Sequence, residues 1–159
     1  MTEVITAQEL QQFVGMDAAK FVLHRKPMLF LDRLVDIGED SATCEWSIGR
    51  DFELFEPGLG VPAYTGDEYM AQCVAVHAGA RARARGFAPP HGFLLGTRHY
   101  RCAVAYFEEG SVYQSTCQEL VRDSQGMGSF ACRILLNGLS IAEANLAVLE
   151  RPQETKLND

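Results

Sequence analysis

Hydrophobic positions run almost without a break through the middle of the chain. From Tyr69 to Ala80 the only strongly polar residues are Gln72 and His77. A helix that is apolar on nearly every side is buried, whereas a surface helix keeps one polar face. Thr65 is a candidate N-cap, and Glu68 follows at the spacing of a capping box. Charge returns only at Arg81, Arg83 and Arg85, with Gly86 as a natural stop. The pattern predicts one long buried helix from Thr65 to Gly86 whose first turn carries Asp67 and Glu68. Elsewhere the positions alternate as strands do. Residues 28–37 and 42–48 predict two strands, the second around the single tryptophan, Trp46. Residues 93–107, 112–121, 128–136 and 140–149 predict four more. They are separated by Glu108-Glu109-Gly110, by Arg122 to Gly126, and by Asn137-Gly138, a strong tight-hairpin signal.

Residues 6–14 suggest a short N-terminal helix. Residues 49–64 and 86–92, rich in glycine and proline, read as loops, and the polar residues 151–159 as a frayed tail. The order is short helix, two strands, long buried helix, four antiparallel strands. A helix without a polar face needs a sheet curled around it. The expected class is α+β: a single domain over residues 1–150 plus the tail, with about six antiparallel strands wrapped around the helix.

Composition narrows the field. With 159 residues, 47% hydrophobic and 22% charged, the chain has the make-up of one ordinary globular domain. A net charge of −7 argues against a nucleic-acid partner. No run approaches the ~18 apolar residues of a membrane span, and the N-terminus lacks signal-peptide character, so a cytoplasmic location is expected. Five cysteines, Cys44, Cys73, Cys102, Cys117 and Cys132, are scattered singly and read as reduced small residues; no metal site is expected. The arginines are uneven. Arg81, Arg83, Arg85, Arg98 and Arg101 crowd together in an otherwise acidic chain, as a solvated helix end or as a dock for an acidic partner.

Glu68, Gln72, Ala75 and Gly79 share one helix face. A carboxylate at the entry of a buried helix has two readings. Glu68 can close a capping box with Thr65, or it can serve as the acid of an enclosed site. The helix pattern alone leaves both open and favours the cap.

Longer motifs tilt the balance. His24-Arg25-Lys26-Pro27-Met28-Leu29-Phe30-Leu31-Asp32-Arg33-Leu34 resembles the HRxPxLLxDR opening of the hotdog-fold 3-hydroxyacyl-acyl-carrier-protein dehydratases, the FabZ and FabA group. Glu68-Tyr69-Met70-Ala71-Gln72 is similar to the E-A-x-A-Q helix of that family. Pro62 falls where the family has proline, and Gly126-Met127-Gly128 with Asn137 to Ala144 looks like its final hairpin. The form is most similar to the dehydratase-like subunits of aryl polyene pathways, the ApeP type. The resemblance implies a hotdog fold and loss of water from a 3-hydroxyacyl chain held on the phosphopantetheine of an acyl carrier protein, with no further cofactor. It implies Glu68 as the catalytic carboxylate, Gln72 as a substrate-binding residue and the backbone N–H of Gly96 as a holder of the thioester carbonyl. The arginine cluster, by its charge, is the expected dock for the acidic carrier and its phosphate.

One departure changes the reading. The family takes a histidine from one subunit and a carboxylate from the other across a dimer. The position of that histidine is held here by Leu54, which cannot take a proton. His24 belongs to the opening motif and reads as structural; His77 reads as a core histidine, His91 as a loop residue, and His99 lies in a strand near arginines. Any of the four could replace the missing base. Alternatively, a paralogous partner supplies histidine to a heterodimer in which this chain donates Glu68; a homodimer is the other assembly. Two competing functions are a hotdog thioesterase, whose helix carboxylate directs water at the thioester, and a non-catalytic subunit that scaffolds an active paralogue.

Overall fold

The computed structural model of the chain describes residues 4–151 and 155–158. A short helix, α1 (Ala7–Leu10), opens the fold and continues into a 3-10 turn, Gln11–Phe13. A capping box starts α1: the Thr6 hydroxyl accepts from the Glu9 N–H, and the Glu9 carboxylate accepts from the Thr6 N–H. Two strands follow, β1 (Arg33–Ile37) and β2 (Ser41–Ser47). A two-residue strand, β3 (Val61–Pro62), and a 3-10 turn lead into the long helix α2 (Gly66–Ala84). The rest is β4 (His91–Cys102), β5 (Tyr106–Phe107), β6 (Val112–Arg122), β7 (Met127–Leu136) and β8 (Leu139–Arg151). Six strands form one antiparallel sheet in the order β1-β2-β6-β7-β8-β4, and β3 pairs with β5 beside it.

Helix α2 lies on this sheet as its apolar sequence requires. Tyr69, Met70, Cys73, Val76 and Ala80 are buried on it. Trp46 is stacked between Tyr69 and Tyr113, with centroids 3.8 and 4.6 Å away, and Phe107 meets it edge-on at 5.2 Å. The indole N–H donates to the Ser115 hydroxyl at 2.8 Å, so the polar atom of the buried tryptophan is satisfied. On its other side α2 presents Gly79 to the backbone of Phe21. A Cβ at Gly79 would lie 1.6 Å from the Phe21 carbonyl oxygen, so only glycine permits this approach. Gly86, at φ +83°, ends the helix in the left-handed conformation that glycine accepts.

The structure departs from the sequence pattern in several places. The strand expected over 28–37 begins only at Arg33, because Met28 and Phe30 spend backbone hydrogen bonds on the Gln72 side chain of α2 instead of on a ladder. The strand expected over 93–107 breaks after Cys102; Tyr106 and Phe107 leave the main sheet to pair with Val61 and Pro62. The loop over 86–92 is shorter than expected, since β4 starts at His91. The tail is tied down where it is described. Ala88 N–H donates to Thr155 O and Leu157 N–H to Gly86 O, each at 2.9 Å, because the turn after α2 leaves those backbone groups without helical partners. Residues 152–154 and 159 of the expected frayed tail lie outside the described residues. All five cysteines are free thiols, and all but Cys102 are buried.

Candidate active site

The first turn of α2 stands at a cavity of about 400 Å³. One wall is the segment Phe21 to His24, the floor is Ala71, Val74, Ala75 and Ala78 of α2, and the far wall is β4 from His91 to Leu94. Small side chains on the helix face make the space, and Val74 and Pro90 are in its lining. Met70 and Cys73 are wholly buried and absent from that lining.

Glu68 does not cap the helix. Thr65 has helical dihedrals, φ −75° and ψ −7°, because the turn Ala63–Thr65 already leads into α2. Its hydroxyl donates to the Pro62 carbonyl at 2.8 Å. The expected Thr65–Glu68 box is therefore absent, and the carboxylate turns to the cavity. There Oε1 accepts from Gln72 Nε2 at 3.0 Å and lies 3.9 Å from His24 Nε2. Gln72 is 1% exposed, and both ends of its amide are engaged. Oε1 accepts from the Phe30 N–H at 2.8 Å, and Nε2 also donates to Met28 O at 2.7 Å. Gln72 thus fastens the His24–Leu31 segment to α2 and steadies Glu68 at the same time. Tyr100 of β4 secures the start of the helix, its hydroxyl donating to Ala63 O. Burial pushes that phenol well above its usual range, so it acts as a donor throughout the physiological range.

The histidines separate into distinct environments. His24 and His91 both line the Glu68 cavity. His77 is fully buried in α2, and its Nε2 faces the carbonyls of Gly38 and Glu39 at 3.1 and 3.0 Å. Carbonyls only accept, so Nε2 carries the proton; burial holds the ring below its ordinary pKa. His99 is exposed at a bulge of β4, at φ +56°. Leu54 sits 39% exposed in the loop before β3 and is absent from the lining of the cavity. Gly96 lies on β4 next to a register shift at Leu94/Gly96; the cavity wall stops at Leu94.

The arginines split in two. Arg81 and Arg85 line a second cavity of about 610 Å³ at the C-terminal end of α2, together with Arg122 and the β6–β7 turn. Arg122 is paired with Glu119 and Glu150. The two cavities share Ala78, Pro90 and Glu150 in their linings. Arg83 is half-buried in α2, and Arg98 and Arg101 are exposed on β4. Among the described residues no group of three histidine, cysteine or acidic side chains is placed to hold a metal ion, and no helix is long and apolar enough to cross a membrane.

Fold and site define a hotdog protein with a carboxylate at the head of its central helix. The chain belongs to the ApeP-like family, described as ApeP dehydratase, which it matches over residues 16–158. Among solved structures it is similar to the dehydratase heterocomplex ApeI:P from Xenorhabdus doucetiae, with 26% identity and a TM-score of 0.79 over 89% of this chain and 94% of that one. The E. coli PaaI protein from the phenylacetic acid degradation operon matches at 11% identity and a TM-score of 0.61, covering 97% of this chain and 100% of that one. A hypothetical thioesterase with coenzyme A from Streptococcus pneumoniae TIGR4 matches at 8% and 0.57, over 77% of this chain and 88% of that one. These last two share the fold. No curated protein matches the chain.

Proposed function

We propose that the chain is the glutamate-bearing subunit of a 3-hydroxyacyl-carrier dehydratase, forming a trans-2-enoyl thioester in a fatty-acid- or polyketide-like pathway of the aryl polyene type. One observation carries the reading. Glu68 is released from helix capping, and its carboxylate meets Gln72 in a cavity lined largely by apolar residues. In the reaction the bond from the carbon beside the thioester to hydrogen breaks, and a base takes the proton. A carbon–carbon double bond forms, and the neighbouring carbon–oxygen bond breaks as an acid protonates the departing hydroxyl, which leaves as water. Glu68 is the acid. The base is a histidine of a paralogous subunit, since Leu54 cannot fill that role. Charge developing on the thioester oxygen needs preorganised N–H donors, and the Gly96 N–H on β4 is assigned to it.

An exposed edge supports the paired assembly. β4 ends the sheet, with β8 as its one neighbour among the described residues, and Phe93, Leu94 and Leu95 on it are 50%, 39% and 50% exposed. An apolar edge strand is a template for another chain. The similar ApeI:P structure is itself a heterocomplex. The substrate arrives on the phosphopantetheine arm of an acidic carrier protein in the cytoplasm, and no other cofactor is required. Arg81, Arg83, Arg85, Arg98 and Arg101 meet the carrier and its phosphate, a contact that weakens with salt.

The test is product analysis. A complex of this chain with a histidine-bearing paralogue is given a carrier-bound 3-hydroxyacyl substrate, and carrier and free acid are followed by mass spectrometry. Loss of one water from the carrier-bound chain is expected. Release of free 3-hydroxy acid would replace this reading with a thioesterase.

A further inference from the structure

We propose that His24 is a positioning residue of the Glu68 site: an Nε2–H donor that, with Gln72, holds one carboxylate oxygen and leaves the other for the substrate. The proposal rests on the functional reading above and assigns a role to a residue of the opening motif that the sequence reads as structural.

Three observations support it. His24 Nε2 faces Glu68 Oε1 at 3.9 Å, with both side chains 36% exposed at the mouth of the cavity. That gap is too long for a direct hydrogen bond. A small rotation of either side chain, or one bridging water, closes it. Second, Nδ1 of His24 is buried and has no hydrogen-bond partner among the described residues. A proton on Nδ1 would be an orphaned buried donor, so the neutral ring keeps its proton on Nε2, aimed at the carboxylate. Third, Gln72 approaches the same oxygen, Oε1, at 3.0 Å. Gln72 holds Oε1 and His24 Nε2 faces that same oxygen, while no hydrogen bond from the described residues reaches Oε2. The oxygen that hands over the proton is thereby set apart from the oxygen that is anchored.

The same geometry makes His24 a poor replacement for the missing base. A base must offer a lone pair on Nε2, which would move the ring's proton to the buried Nδ1. The other titratable groups lining this cavity are His91 of β4 and Glu150 of β8, which is engaged by Arg122. Arg25, next in the chain, is turned to the carbonyls of Val22 and His24 at 2.9 and 2.7 Å. Glu68 is thus the acceptor that His24 Nε2 confronts.

The experiment compares His24→Ala, His24→Gln and Glu68→Gln in the complex with the histidine-bearing paralogue, measuring kcat and KM across pH. Glutamine keeps an N–H near the position of Nε2 but does not titrate. His24→Ala is expected to lower kcat about tenfold, the value of one lost hydrogen bond to a charged group, with little change in KM. A donor to the carboxylate favours its charged form. Its loss therefore moves the falling limb of the profile, where Glu68 gives up its proton, to higher pH. His24→Gln is expected to restore both rate and limb. His24→Gln as inactive as His24→Ala would overturn the proposal, since His24 would then act by titrating; so would a His24→Ala profile identical to wild type. If a variant is too unstable for kinetics, titration of the Glu68 carboxyl carbon, assigned by NMR against Glu68→Gln, must show the same upward move in His24→Ala and none in His24→Gln. Undiminished turnover in Glu68→Gln is a different result: it removes the functional reading itself.

Discussion

A single methyl group at Gly79 tests the packing that builds the cavity. In an exposed helix interior, replacing glycine with alanine stabilises by about 1 kcal/mol. Here the new Cβ would lie 1.6 Å from the Phe21 carbonyl oxygen, 2.6 Å from its carbon and 3.0 Å from its Cα. These are backbone atoms and cannot swing aside, so the turn around Phe21 must withdraw from α2. Phe21 is fully buried and packs edge-on to Phe13 at 5.5 Å. Overpacking a tight site costs about 1–3 kcal/mol, and partly uncovering a phenylalanine adds about 1.5–2 kcal/mol. Net of the helix gain, Gly79→Ala should destabilise by about 1.5–4 kcal/mol. For a chain of this size that lowers Tm by roughly 5–15 °C. Gly66→Ala is the internal comparison. Its Cβ meets the Tyr100 hydroxyl at 2.1 Å, the far end of a side chain, so the loss should be smaller. The assay is thermal unfolding by circular dichroism, with urea midpoints as a second measure. A Gly79→Ala protein as stable as wild type would refute the close contact of α2 with the Phe21 turn, and with it the position of the wall that carries His24.

Two further predictions follow from side chains in the same helix. Gln72→Leu strands the Phe30 N–H and the Met28 carbonyl and frees Glu68; it should cost about 1–3 kcal/mol in urea unfolding and reduce turnover more than it changes KM. His77 is held below the ordinary histidine pKa of about 6.5, chiefly by burial, so the unfolded chain binds a proton that the folded chain refuses. Its contribution is complete above that pH and is lost as pH falls through it. Urea midpoints measured from about pH 8 to about pH 5 should decline, and His77→Gln should flatten the decline; an equally steep slope in the variant would remove His77 as its cause.

What could be read from the residues depended on how local the signal was. The long helix was legible because nothing but burial explains so unbroken an apolar run, and the Asn137-Gly138 turn because its chemistry is local: both residues take positive φ, 51° and 79°. The strand limits failed where a distant side chain competes for the backbone, as Gln72 does at Met28 and Phe30, or where a short partner draws residues away, as β3 does with Tyr106 and Phe107. Two segments carry the capping-box spacing, Thr6/Glu9 and Thr65/Glu68. The first forms; the second fails because a 3-10 turn already precedes the helix and occupies Thr65. That failure frees Glu68, which motif resemblance had singled out and helix pattern alone would have assigned to a cap. The approach of His24 to Glu68 was not legible, because the two lie far apart along the chain and no spacing rule reports it. The arginine cluster looked continuous in sequence, but part of it lines a cavity at the end of α2 and part lies on an edge strand.

The most direct test of the account is turnover of a carrier-bound 3-hydroxyacyl substrate by four samples: this chain alone, the histidine-bearing paralogue alone, the two together, and the pair with Glu68→Gln. The account predicts dehydration that rises sharply only when both wild-type chains are present, and a Glu68→Gln complex that assembles normally but loses at least about a hundredfold in rate, the usual contribution of a positioned acid. Full activity of this chain by itself, or of the pair carrying Glu68→Gln beyond what the paralogue achieves alone, would contradict it.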